Sequence, residues 1–210
     1  MYYFSTLPLI ATQDPNGNSV AAVNLMNNAS IVTKMLNNPV IYYQYDIQEG
    51  DTPEIIAAKY YGDSYRFWLV MFANQLMDPQ WDWPLDYNQF NQYINSKYAD
   101  VAAAANTTPI AYTQSTIYTY EKTITTVDLI SQTSTSNTYY IDLPTYNNTI
   151  PTSSVVTLQS GNQMSYAVTK QPLYIYDWEY QTNESKRSIK LINSAFVGQV
   201  EQEFDSLMSK

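Results

Sequence analysis

The residues best suited to chemistry lie in one short loop, Asp78 to Pro84, with the sequence DPQWDWP. The loop contains two aspartates, a residue type that can act as general acid or base, and two tryptophans, a residue type that can stack on a sugar ring. A glycosidase also requires a cleft and one carboxyl group with a raised pKa. Because the sequence signals neither, we expect these tryptophans to pack in the core or at an interface, and we predict no catalytic residue.

Composition excludes most other site chemistry. The 210 residues include no cysteine and no histidine, which removes disulfides, thiolate nucleophiles, the usual zinc ligands and the usual general base. The formal net charge is -9, which disfavours binding to nucleic acid through phosphate contacts. No apolar run approaches the ~20 residues that span a bilayer. No cofactor, metal or membrane partner is predicted.

The surface is expected to be poor in charge and rich in tyrosine. Charged residues make up 14% of the chain and tyrosine occurs 21 times, whereas soluble domains average about 25% charged residues. Such a surface suits burial against protein partners, since tyrosine offers contact area at low entropic cost. A high strand content explains the same composition equally well, so both interpretations stay open.

A strand and a helix are predicted from residue 42 onwards. Tyr42 to Gln48 is rich in aromatic and β-branched residues, as strands are. Asp51 or Thr52 caps a helix that has Pro53 in its first turn. Gly62 is placed to end this helix in a left-handed conformation.

A second helix, Tyr65 to Asn74, is apolar nearly all round. One stripe contains Tyr65, Trp68, Leu69 and Phe72, and the opposite side contains Phe67, Val70 and Met71. A helix of this kind is buried on nearly all sides. Either the rest of the chain or a neighbouring subunit must therefore cover its far face.

The order of these elements, a strand, a turn at Gly50-Asp51-Thr52 and two helices that end at Asn74, resembles a LysM module. The continuation is more specific: YYGDSYRFW, then Ala73-Asn74, Asp78-Pro79, Trp83-Pro84-Leu85 and a helix ending Lys97-Tyr98 resemble the LysM-like wedge proteins of contractile-tailed bacteriophage baseplates. The resemblance covers residues 1 to 100. It implies a non-enzymatic structural subunit, assembled in the host cytoplasm and resident in the virion's tail baseplate, that binds other wedge proteins and helps to join wedges around the hub.

The predicted fold class is α+β: a LysM-like strand-helix-helix core with an added third helix, then a β-rich region and a C-terminal helix. Residues 1–40 are an arm, in which residues 29–36 allow two helical turns, and residues 41–100 are the core. Residues 101–185 are a β-rich interaction region whose short strands include Ile110, Tyr112 and Leu173 to Tyr176. Residues 186–210 form a strand and an amphipathic helix.

Two sets of site residues follow. The candidate partner interface consists of Phe67, Val70, Met71, Trp81, Trp83, Val200, Phe204 and Met208. The alternative function is LysM-type binding of peptidoglycan or chitin oligosaccharides, for which the groove residues are Gly50, Asp51, Thr52, Leu76, Asp78 and Pro79. We regard carbohydrate as the less favoured partner because a Trp-Pro loop and a helix stand where a LysM module has its closing strand.

Overall fold

The computed structural model describes residues 7–24, 40–158, 161 and 163–208. Helices and strands are mixed along the chain, which confirms the α+β class. The chain divides into two compact units, of which unit 1 comprises Met1–Asp86 with Asn183–Lys210 and unit 2 comprises Tyr87–Thr182. The helical turns predicted for residues 29–36 lie outside the described residues.

Runs of strands and runs of helices follow one another along the described chain. In order they are β1 (Leu9–Gln13), β2 (Ser19–Val23), β3 (Tyr42–Asp46), α1 (Pro53–Tyr61), a 3-10 turn (Ser64–Arg66) leading into α2 (Phe67–Ala73), α3 (Tyr87–Lys97), α4 (Ala99–Ala104), α5 (Pro109–Ser115), β4 (Ile117–Asp128), β5 (Ser134–Ile141), α6 (Leu143–Asn148), β6 (Thr152–Thr157), β7 (Gln163–Tyr174), α7 (Ile175–Glu184), β8 (Ser188–Ile192), and a 3-10 turn (Ser194–Phe196) leading into α8 (Val197–Met208).

In unit 1, β3 pairs with a strand from the far end of the chain. β8 runs antiparallel to it, with Tyr42 opposite Ile192 and Asp46 opposite Ser188. This pairing corrects the expectation that no strand closes the strand-helix-helix arrangement, because the partner strand arrives only after the whole of unit 2. A one-residue shift would turn Leu191 and Ile189 out of the core, so the register is fixed by burial.

Local signals define α1 as predicted. Thr52 is the cap, since its Oγ1 accepts a hydrogen bond from the Ile55 amide at 3.3 Å, and Pro53 occupies the first turn. Gly62 ends the helix with a φ of 71°, which confirms the left-handed stop. Asp51, the other candidate cap, turns its carboxylate back towards Tyr45 and Lys59 instead.

The core of unit 1 forms where α2 meets α8 and β8. Trp68 on α2 lies 4.9 Å from Phe204 on α8 between ring centroids. Val70, on the far face of α2, is fully buried in the same cluster as Leu191 and Met208. The chain itself therefore covers Val70 on that far face, whereas Phe67 and Met71 on the same face stay half-buried.

Three hydrogen bonds join the chain segments where unit 2 leaves and re-enters unit 1. The Asn183 side chain donates to the Leu85 carbonyl at 3.0 Å and accepts from the Leu85 amide at 2.7 Å. Arg187 also donates to the Leu85 carbonyl. The two ends of the long excursion are thus adjacent, and residues 183–208 complete the fold begun before Asp86.

Unit 2 contains one antiparallel sheet of four strands in the order β5-β4-β7-β6. Away from the sheet, α3 and α7 pack through Phe90 against Tyr176 and Tyr180. Nearby, the buried Glu179 carboxylate accepts hydrogen bonds from Lys97 at 2.7 Å and from the hydroxyls of two tyrosines, Tyr93 and Tyr98.

Two strand predictions in this region are wrong. Ile110 and Tyr112 lie in α5, where Thr108 caps the helix by accepting from the Ala111 amide and Pro109 fills the first position. The strand predicted for Leu173 to Tyr176 ends at Tyr174, and α7 begins at once. In both places, capping or tertiary packing outweighs the strand preference of isoleucine and tyrosine.

Candidate partner-binding surface

The loop after α2 is held in one conformation by its own aspartates. Asp82 accepts hydrogen bonds from the backbone amides of Asp78 at 3.0 Å and Met77 at 3.1 Å. These amides lower the pKa of the Asp82 carboxyl group, the Asp78 amide most strongly. Asp78 in turn accepts from the Gln80 amide at 2.9 Å. Both carboxylates therefore act as structural acceptors.

Two further contacts attach this loop to the rest of unit 1. The Lys186 ammonium donates to the Trp81 carbonyl at 2.6 Å. The Trp83 indole N–H donates to the Asp51 carbonyl at 2.9 Å, and its side chain is buried. The loop is fixed on both sides of Trp81, so the position of that residue is preorganised.

The loop presents apolar side chains to solvent. Trp81 is 64% exposed and Met77 is 78% exposed. An exposed tryptophan on a restrained loop forfeits little conformational entropy when a partner covers it. Tryptophan is also the residue type most enriched among the residues that dominate binding energy. We call this pair, Met77 and Trp81, the Trp81 loop surface.

The other predicted interface residues fall into two groups. Val70, Phe204 and Met208 are buried in the core of unit 1, because α8 docks its apolar stripe on α2, and Trp83 is buried beside Asp51. Phe67, Met71 and Val200 are half-buried. Of the predicted set, Trp81 alone is largely exposed, so the structure does not bring all eight residues together on one surface.

The predicted groove residues are used by the protein itself. Asp51 is buried, and its carboxylate accepts hydrogen bonds from the Tyr45 hydroxyl at 2.7 Å, the Lys59 ammonium at 2.6 Å and the Gln48 amide at 3.1 Å. Burial opposes ionisation, but these donors outweigh it and lower the pKa of Asp51. Gly50 and Thr52 are exposed in the turn and cap, Leu76 is half-buried, and Asp78 and Pro79 are exposed.

Nothing in the described residues assembles a reactive centre around these carboxylates. A general acid has a raised pKa, whereas those of Asp51 and Asp82 are lowered. No group of three acidic side chains that could hold a metal ion occurs in the described part of the chain. None of the helices described is long and apolar enough to cross a membrane.

A second exposed surface lies in unit 2, and sequence reasoning missed its exact place. The edge strands β5 and β6 are exposed along almost their whole length. The available signal was the charge-free composition of these strands, which predicted a β-rich interaction region but not which strands form the edges.

Residues 2–204 match the family model described as Base plate wedge protein 53. The protein is therefore a structural protein of the bacteriophage tail baseplate and a component of the virion tail, and the chain is a member of that wedge-protein family. The match covers nearly the whole chain, including both units. No curated protein matches the chain.

Proposed function

We propose that this protein is a non-enzymatic wedge subunit that binds neighbouring baseplate proteins through the Trp81 loop surface and helps to join wedges around the hub. The observation that carries the proposal is the 64% exposure of Trp81 on a loop held at both ends. Family membership supplies the class of partner, because a baseplate wedge protein functions among other baseplate proteins.

We further infer that unit 1 is a LysM-like module. Its order of strand, helix, helix and antiparallel closing strand is that of the resemblance, with β8 in the closing position. Unit 2 is then an insertion between the second helix and the closing strand. Asn74 supports this inference, since its side chain bonds to the Val70 carbonyl of α2 and to both backbone groups of Lys190 in β8.

A protein partner accounts for the surface better than a sugar does. In the proposed module, the loop carbonyl of Asp51 is bonded by Trp83 and the Asp51 carboxylate is saturated by three donors. The exposed Trp81 shares its loop with a second exposed apolar side chain, Met77. Oligosaccharide sites combine an aromatic platform with several convergent polar groups, so apolar protein contact is the better match.

The experiment is co-assembly of the purified chain with the other wedge proteins, using Trp81→Ala. Truncating a central tryptophan costs about 2 kcal/mol or more, so binding should weaken by roughly 30-fold. The fold should be unaffected because the side chain is mostly exposed. Tyr87→Ala is the matched control, since Tyr87 is 67% exposed but lies in unit 2. Wild-type co-assembly by Trp81→Ala would refute the proposed surface.

The saccharide alternative is tested with the same protein. Titration with N-acetylglucosamine oligomers should give no saturable signal in tryptophan fluorescence or calorimetry. Micromolar binding that Trp81→Ala abolishes would instead assign the loop to carbohydrate.

A further inference from the structure

The Trp81 loop surface carries negative charge next to its apolar side chains. The loop from Asp78 to Pro84 contains two aspartates and no basic residue. Asp78 is exposed, as Trp81 is, whereas Asp82 is half-buried. A partner that covers Trp81 therefore meets a carboxylate as well as an indole ring, and this charge restricts the chemistry of the partner.

A tight turn brings Asp78 and Trp81 together. The Trp81 amide donates to the Asp78 carbonyl at 3.2 Å, which closes a four-residue turn with Pro79 at its second position. The Cα atoms of the first and last residues of such a turn are less than about 7 Å apart. One long side chain of a partner can therefore contact both the indole ring and the carboxylate.

The charge of Asp78 is not balanced by the protein itself. Its Oδ1 accepts a hydrogen bond from the Gln80 amide, which holds the carboxylate in place but is neutral. No ammonium or guanidinium group of the described residues forms a salt bridge with Asp78. Lys186, the cation bonded to this loop, donates to the Trp81 carbonyl at 2.6 Å and lies close enough to Asp82 to favour its ionised form.

Desolvation then decides what kind of residue can cover Trp81. A partner that packs on the indole ring also removes water from Asp78, and burial of an unpaired carboxylate is strongly unfavourable. An apolar partner residue would incur this cost in full, and an acidic one would add repulsion. A basic residue avoids the cost, because the carboxylate gains a partner as it loses water.

We propose that a neighbouring baseplate protein contributes an arginine that lies on the indole ring of Trp81 and pairs with the Asp78 carboxylate. This inference rests on the proposed function, since it specifies the partner residue at the same surface. Arginine fits better than lysine because its guanidinium group is planar, weakly hydrated and stacks on aromatic rings. The N–H groups at its edge bind a carboxylate while its face covers the ring. Met77 remains available for apolar contact with the residues that flank the arginine.

A double-mutant cycle in the co-assembly assay tests whether one residue contacts both side chains. Asp78→Asn removes the charge but keeps an oxygen that accepts from the Gln80 amide, so the turn is retained. It should weaken co-assembly about tenfold. Trp81→Leu keeps an apolar side chain and removes the aromatic ring. Because one guanidinium group binds both, the double variant should be weakened by less than the product of the two single effects.

Ionic strength supplies the second readout. Raising the NaCl concentration from about 0.05 to 0.5 M should weaken the wild-type complex more than the complex of Asp78→Asn, since salt screens the pair that this variant lacks. Asp205→Asn is the matched control, because Asp205 is an exposed aspartate on α8 of the same unit. It should show wild-type affinity and wild-type salt dependence. Thermal unfolding checks that each variant is folded.

The outcomes separate this inference from the proposed function. If Trp81→Ala loses co-assembly but Asp78→Asn binds as the wild type does, the surface stands and the arginine is refuted. Multiplicative effects of Asp78→Asn and Trp81→Leu would also refute it, since separate partner residues would then contact the two side chains. Tighter binding by Asp78→Asn would assign the surface to an apolar partner residue. Wild-type co-assembly by Trp81→Ala would refute the surface and this inference together.

Discussion

Replacing Asn74 with alanine should destabilise unit 1 more than its half-buried position suggests. The Asn74 amide donates to the carbonyls of Val70 and Lys190, each at 2.8 Å, and its Oδ1 accepts from the Lys190 amide at 2.7 Å. The side chain thereby bonds to β8 as a neighbouring strand would. Alanine removes all three hydrogen bonds and leaves the backbone amide and carbonyl of Lys190 without these partners.

The expected loss follows from those three bonds. Each contributes about 0.5–1.5 kcal/mol net, and partial burial of the backbone groups adds to the cost of leaving them unpaired. We expect unit 1 to lose roughly 2–4 kcal/mol, which corresponds to amide exchange in β8 that is roughly 30- to 1,000-fold faster. Hydrogen exchange is the suitable assay because it reports on β8 alone.

Gln199→Ala, at an exposed position on α8, is the control and should change stability by less than about 0.5 kcal/mol. Asn74→Asp gives a second test. Its carboxylate has no donor for the Val70 and Lys190 carbonyls. The protection of β8 amides, measured relative to their intrinsic exchange rate at each pH, should therefore be low at neutral pH and higher in acid, where a protonated carboxyl group can donate. A loss below about 1 kcal/mol in Asn74→Ala would show that water replaces these bonds and would refute the reasoning.

Three further predictions concern other sites. The pKa of Asp51 is lowered in the folded state. The ionised Asp51 carboxylate therefore stabilises the fold above its ordinary pKa near 3.8, and this contribution is lost as the pH falls through the pKa of the folded state. The stability difference between wild type and Asp51→Asn, measured by urea unfolding, should therefore shrink from about pH 5 downwards. Gly62→Ala should cost about 1 kcal/mol in the same assay, because alanine is strained at a φ of 71° although nothing lies within 4 Å of its Cβ. Glu179→Ala should destabilise unit 2 by roughly 3 kcal/mol and Glu179→Gln by less, since glutamine still accepts hydrogen bonds; equal losses in thermal unfolding would contradict this.

Elements whose ends are marked by nearby residues are predicted well from the sequence. Pro53 and Gly62 mark the start and stop of α1, and both act as expected. The strand predicted after Lys186 appears as β8, and the final helix appears as α8 with Phe204 buried. Each of these predictions depends on residues within one turn or one strand of each other, so tertiary context had little room to alter them.

Interactions distant in sequence were not predictable in the same way. No residue near Tyr42 indicates that its partner is Ile192. The alternation of side chains along β8 is compatible with any neighbouring strand, so it does not identify β3 as the partner. The candidate interface was mispredicted for the same reason. Val70, Phe204 and Met208 are predicted to be exposed because the sequence does not show that α2 and α8 meet and bury them together. The backbone of Trp81 is held by a hydrogen bond from Lys186, a residue more than 100 positions further along the chain.

Separation along the chain also has a consequence for biosynthesis. Gln44 and Ser188, whose side chains bond across the pair β3 and β8, are 144 positions apart. During synthesis on the ribosome, the whole of unit 2 emerges before β8, the strand that completes unit 1. Until then the apolar side of α2 in the nascent chain stays exposed. A prematurely terminated polypeptide never acquires that strand. Such a truncated chain keeps the apolar side of α2 exposed, as an incompletely folded intermediate does.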